Sequence, residues 1–390
     1  MKVTESYRKI PLIFGILLLA GLLWSRALLS FTELFILVYG LCIAEKKLIS
    51  FFKKEIIWSI SPLILFFLGF YQSHSFEWKN FDYLLTLSVY PSIFIFINTI
   101  DEKQKKQIIY CWLTAIAISL IYPLGWYVLH IKEANTKYGM GQSLPTFMDM
   151  DHVRYGLFLC SGVLILLHYK LFSKKNQAIF IVLLSSIIVF MSVRTAWVAL
   201  LIILIIHAFQ RIKWYYFLAG LFFSIIIGFV AYTFIPTIQQ KINYTIYDWQ
   251  MYQSKNYTAD FSDGARRNIN QVTWKLISEQ HQSNAGWTNV STVLQKGLHQ
   301  QYPNTKIEYG LPFNQYLFWW LGGGWWTLIL FFGWLLYPII IDWNKNNRAL
   351  MSWTIVIAIS CLVESNLCFQ YGVLLHAFAI ALLWNNKKII

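Results

Sequence analysis

The residues best suited to chemistry in this sequence are arginines set beside expected helix starts. Arg194 stands in the run Ser192, Val193, Arg194, Thr195, Ala196, Trp197, a cation followed by a tryptophan at the junction of two apolar stretches. Arg266 and Arg267 lie in a polar stretch just after Ser262 and Asp263, either of which can cap a helix. Ala265, Ile269, Val272 and Leu276 then recur at helical spacing, leaving Arg266, Arg267, Asn270 and Trp274 on the other side. Free backbone N–H groups at a helix start, together with guanidinium forks, favour phosphate oxygens, so the expected chemistry is capture of a phosphate-type anion. Each element also has a plainer reading. Arg194 can snorkel to lipid headgroups with Trp197 in the aromatic belt, and the loop arginines can form a basic face lying on anionic lipid.

The elements that must position these groups are read from composition. With 390 residues, 57% hydrophobic and 13% charged, the chain has more apolar surface than a soluble domain can bury. Apolar runs long enough to cross a hydrocarbon core of about 30 Å are expected near 10–25, 27–44, 56–72, 82–100, 108–131, 152–172, 178–193, 195–210, 214–236, 314–341, 349–363 and 367–385. The fold class is therefore an all-α polytopic membrane protein of about twelve spans: nine in 1–235, a large loop over 236–313, and three in 314–390, forming one membrane domain. The stretch 178–210 is read as two short spans, because one straight helix of that length would measure about 50 Å, and this puts Arg194 at a boundary.

Net charge is +14, but its placement points away from nucleic acid. Nineteen Lys and Arg residues, from Lys2 to Lys388, fall on alternate connections, against six (Arg26, Lys79, Lys132, Lys137, Arg154 and Arg194) on the others outside the long loop. That bias puts both termini and the basic connections in the cytoplasm and the long loop on the outer face. The first span is an anchor, since it runs into the second through Ser25 and Arg26 without a small-residue cleavage site. Cys42, Cys111, Cys160, Cys361 and Cys368 have no C-x-x-C pairing and read as small core hydrophobes. No zinc signature or nucleotide-binding fingerprint emerges, so no metal and no cofactor are expected. Glu33, inside the second span, and Glu364 are expected to pair with Arg194 or the loop arginines.

A third element, Leu311 to Leu317, carries Asn314 and Tyr316 where the loop re-enters the membrane, followed by a Trp- and Gly-rich span start. The order of these features is S-x-R-x-A-W, then an outer loop with an arginine-bearing helix and Gly286-Trp287, then N-x-Y-L at Asn314, then Glu364-Ser365. This order resembles the O-antigen ligase and polymerase family of bacterial envelope glycosyltransferases. The likeness is best over 178–385; the first half contributes mainly span count and an outer D-H-x-x-Y at Asp151 to Tyr155. The resemblance implies a GT-C-type fold and metal-independent transfer of a glycan from undecaprenyl diphosphate to a lipid A core or similar acceptor. In a polymerase the acceptor is a second lipid-linked repeat. It implies that Arg194, Arg266 and Arg267 bind the diphosphate, with Asn314, Tyr316, Trp274 and Glu364 in support. One position departs from the pattern: ligases of this family usually have histidine immediately before that asparagine, and here it is Phe313. His152 and His299 are the nearest outer-face substitutes as base, an imidazole with pKa about 6.5 being suited to neutral pH; an ordinary packing or surface role competes for each. A transporter, the reading from another class, would line a path through the membrane with charge, whereas these candidates gather on one side.

Overall fold

The computed structural model describes residues 5–44, 54–72, 86–148, 151–209, 214–254, 262–278, 285–303, 310–342 and 347–384. The basic connections expected at 45–53, 210–213, 343–346 and 385–390 lie outside the described residues. Among the described residues every regular element is helical. Glu102–Leu129 is long and apolar enough to cross a membrane, and Ile10–Trp24, His152–His168, Arg194–Ala208, Trp325–Ile341, Arg348–Val363 and Gln370–Trp384 are shorter apolar helices. Large apolar side chains are exposed on these helices, such as Ile121 and Ile329, and on the helices Arg26–Ala44 and Trp214–Phe234, such as Phe31, Phe35 and Phe229, the composition expected of surfaces solvated by lipid.

The expected break near Arg194 is present, and its cause is visible. The helix Lys174–Phe190 stops, Ser192 adopts φ 55, and a new helix runs Arg194–Phe209. A helix end leaves carbonyls unsatisfied. Here the Trp197 indole donates to the Val189 carbonyl at 3.0 Å, the Thr237 hydroxyl to that of Phe190 at 3.0 Å, and the Tyr138 hydroxyl to that of Met191 at 2.9 Å. Trp197 therefore stitches the turn that presents Arg194.

Two expectations are corrected. The span read as 314–341 is two helices, Gln315–Gly323 and Trp325–Asp342, separated at Gly324 with φ 83. Only glycine reaches that backbone region at little cost, and the Thr327 hydroxyl, donating to the Trp319 carbonyl at 2.7 Å, closes the break. The run placed at 108–131 begins earlier, at Glu102, because Asp101 and Gln104 form a capping box, and after His130 a separate helix, Ile131–Gly139, continues the chain. The run placed at 82–100 is helical over Thr86–Thr99, and its first four positions lie outside the described residues.

Within 236–313 the chain forms helices Pro236–Gln253, Ser262–Ser278 and Val290–Gln301. Ala265, Ile269, Val272 and Leu276 are buried as their spacing predicts; Gly297, on the third of these helices, sits so close to Val272 and Leu276 that a methyl group there would press on both. The Gly286-Trp287 pair docks this layer onto the next. Ala285 and Gly286 donate to the carbonyls of Leu321 and Gly322 at 3.0 and 2.9 Å, and the Trp287 ring fills the space where a Gly322 side chain would stand.

Candidate functional site

The start of the Ser262–Ser278 helix is where the candidate arginines gather. Asp263 sits in its first turn, and both guanidinium nitrogens Nη1 and Nη2 of Arg194 donate to its carboxylate at 2.5 Å, with Nη1 also 3.3 Å from the Thr245 hydroxyl. This is a bidentate pair, the geometry a planar fork makes best. Burial alone would raise the Asp263 carboxyl, but Arg194 more than offsets it and holds the group below its usual range. One turn on, Arg266 donates through Nη2 to Glu364 at 3.2 Å, and its guanidinium lies 5.0 Å from the centre of the Phe313 ring. Burial pushes the Glu364 carboxyl up despite Arg266. Phe313 thus gives this place a cation–π floor.

Arg267 turns towards the Pro236–Gln253 helix, between the rings of Trp249 at 4.7 Å and Tyr252 at 4.8 Å, with Nη1 buried and lacking a hydrogen-bond partner. That helix brings two further charges that the sequence reading passed over. Lys241 is buried and donates to the carbonyls of Gly141 at 2.5 Å and Gln142 at 3.4 Å; burial, followed by the charge of Arg194, brings its ammonium down to about 8. Asp248 is buried, neither carboxylate oxygen has a hydrogen-bond partner, and burial with Asp263 nearby pushes its carboxyl up. A signal for both existed. Thr237, Lys241, Tyr244 and Asp248 recur at helical spacing and are all buried, so the inward face of this helix is polar where an ordinary packing helix would be apolar.

The remaining candidates divide. His152 opens the His152–His168 helix, its Nδ1 is buried without a partner, and it lies within electrostatic reach of Lys241 and Arg266. His299 is exposed, its ring nitrogen 3.0 Å from Gln295 on its own helix, and is not brought to the arginines by any contact among the described residues. Asn314 caps its helix, accepting from the N–H groups of Tyr316 at 2.9 Å and Leu317 at 3.2 Å. The Tyr316 hydroxyl donates to the Ala358 carbonyl at 2.9 Å. Trp274 packs edge-on to Trp320 at 5.5 Å, and Asn270 donates to the Phe313 carbonyl at 3.4 Å. Arg266, Asn270 and Trp274, each four residues apart, therefore seat one face of the loop helix on Phe313 to Trp320. Glu33, expected near the arginines, instead accepts from Gln370 at 2.8 Å.

The cluster of Arg194, Lys241, Arg266 and Arg267 with Asp248, Asp263 and Glu364 has four cations to three carboxylates. Burial favours the neutral form of two of those carboxyls, Asp248 and Glu364, and also of the Lys241 ammonium. An arrangement of this kind holds guanidinium groups in place by carboxylates while leaving an excess of positive charge for an incoming anion. Among the described residues no group of three or more His, Cys, Asp or Glu is placed to hold a metal ion.

Residues 179–332 match the family model described as O-Antigen ligase, a stretch that contains Arg194, Lys241, Asp263, Arg266 and Phe313 and stops short of Glu364. No curated protein matches the chain. Across that stretch the chain is similar to the O-antigen ligase family, whose members are membrane proteins with ligase- or polymerase-type glycosyltransferase function.

Proposed function

We propose that this chain is a ligase-type glycosyltransferase that moves a glycan from undecaprenyl diphosphate to a lipid A core or similar acceptor. It works on the periplasmic face of the inner membrane, with about twelve spans, both termini cytoplasmic and 236–313 as the outer loop. The observation that carries this reading is the convergence of Arg194 with Lys241 and Arg266, groups from separate parts of the chain, on the first two turns of one helix. Cleaving a sugar–phosphate bond builds negative charge on the departing diphosphate, and fixed cations aimed at that charge lower the barrier without reorganising. Arg194 is fully engaged with Asp263 and acts as a fixed charge, whereas Arg266 uses one nitrogen on Glu364 and keeps others for phosphate oxygens. His152, with a free ring nitrogen and within electrostatic reach of Lys241 and Arg266, is the base candidate of the two histidines by position alone, since neighbouring cations resist a further proton.

Phe313 favours a second reading, a polymerase that uses the same donor and a second lipid-linked repeat as acceptor. The test incubates purified protein with undecaprenyl-diphosphate oligosaccharide and either acceptor, then identifies the product. Transfer that disappears in Arg194→Ala and Arg266→Ala supports the reading; undiminished transfer in both overturns it. In cells, loss of a ligase leaves polymer on the carrier lipid, and loss of a polymerase leaves single repeats on the acceptor.

A further inference from the structure

A transferase needs a second site, and a cavity with polar groups in its wall lies across the 364–370 segment from the arginine cluster. It measures about 590 Å³ and is walled by the Arg26–Ala44 helix, the Thr86–Thr99 stretch and the turn 368–371, a size within the range of small-molecule sites. Its chemistry is set by Glu33. That side chain is 7% exposed; Oε2 accepts from the Gln370 amide at 2.8 Å, while Oε1 is buried and has no hydrogen-bond partner. The same amide donates to the Ser30 hydroxyl at 3.0 Å, so Gln370 fixes both acceptors at the cavity wall. The unpartnered Glu33 oxygen is left to hydrogen-bond an incoming polar group, and Asp151, already paired with Arg154, adds little free negative charge to the lining. Hydroxyl groups suit such a wall, whose other polar lining residues include Ser30, Ser92 and Gln370, with Arg26 over the Tyr371 ring at 5.5 Å.

Two neighbours say what carries those hydroxyls and where they go. Leu34 lines the cavity and also belongs to an exposed apolar stripe, Phe31, Leu34, Phe35 and Val38, at the spacing of one helix face. A molecule entering here passes along a surface made for hydrocarbon. On the other side, Asp151 pairs with Arg154, Arg154 reaches the Ser365 carbonyl at 3.5 Å, and Glu364 holds Arg266. The segment 364–370 is thus a thin partition, with the arginine cluster on one side and the cavity on the other.

We propose that this cavity binds the saccharide end of a lipid-borne acceptor, with the free oxygen of Glu33 accepting a hydrogen bond from one of its hydroxyls; the inference rests on the transferase reading above. The test measures acceptor KM with undecaprenyl-diphosphate oligosaccharide as donor, using lipid A core and, in a second arm, lipid-linked single repeats. Binding of undecaprenyl diphosphate alone and Tm are measured beside it. Glu33→Gln keeps the shape of the side chain, and Ser30→Phe narrows the cavity from its exposed rim. Both are expected to raise acceptor KM about tenfold or more, with diphosphate binding and Tm unchanged, while Arg266→Ala loses diphosphate binding. The saccharide freed of its lipid is expected to compete poorly. Transfer with unchanged acceptor KM in both variants, or free saccharide competing as well as the lipid-borne form, overturns the site while leaving the transferase reading standing. Wild-type protein that neither binds the diphosphate nor transfers overturns that reading and this site with it.

Discussion

Arg154 and Arg266 are each held by a carboxylate and an aromatic ring, and only one of them is open. Arg154 pairs with Asp151 and lies 4.0 Å from the Phe369 ring; Arg266 pairs with Glu364 and lies 5.0 Å from the Phe313 ring. The Arg154 side chain is 6% exposed and its carboxylate comes from one turn away in the chain, while that of Arg266 is 33% exposed and its carboxylate comes from 98 residues away. A sealed pair is neutral to its surroundings and ties a helix start to the 365 turn. An open pair keeps donor atoms facing solvent, where an anion can reach them. The difference shows that arginine, carboxylate and ring together do not make a binding site; access does.

This comparison can be broken by exchanging the two roles. Arg154→Ala leaves Asp151 without its partner and should cost about 3–5 kcal/mol, read as a large fall in Tm or loss of monodisperse protein. Arg266→Ala removes a guanidinium that is 33% exposed but strands Glu364, 11% exposed, and should cost less, about 1–3 kcal/mol of stability; equal losses of Tm would erase the distinction. In turnover the order reverses: Arg266→Ala is expected to lower transfer about 10²- to 10³-fold in an assay of lipid-linked glycan on folded protein. An Arg266→Ala enzyme with near-normal transfer would show that openness does not imply use.

A third measurement sharpens the comparison through Lys241. Its ammonium is brought down to about 8 by burial and by Arg194, so the free protein loses this charge as pH rises through that value. Because the protonated form attracts the diphosphate and the neutral form does not, affinity for undecaprenyl diphosphate should be full below about 8 and decline above it, by up to about tenfold per pH unit. Lys241→Arg, which stays charged, should flatten the profile; a wild-type profile that is already flat from 7 to 9.5 would remove Lys241 from the anion's surroundings. The smallest effect expected is that of Phe313→Leu. Losing the ring beneath Arg266 should weaken diphosphate binding by about 0.5–1 kcal/mol, a few-fold change in Kd by calorimetry, and an unchanged Kd would make the ring mere packing.

The sequence alone determined what depends on near neighbours in the chain. Apolar runs, the turn before Arg194, the buried face of the loop helix from Ala265 to Leu276, and the place of Asn314 at a helix start all follow from local periodicity and capping. Local signals also misled in places. Three consecutive glycines, Gly322 to Gly324, were compatible with tight packing inside one span, and only the backbone turn at Gly324 made them an end. Tertiary structure decided who pairs with whom. Arg194 met Asp263 across 69 residues, Glu33 met Gln370 in place of an arginine, and Lys241 and Asp248 faced inward although their types suggest solvent. The physical reason is that a charge near hydrocarbon must find its partner wherever packing brings one close. That closeness is a property of the folded surfaces: spacing can mark an inward face, as it does for Lys241 and Asp248, but does not say which groups meet across it.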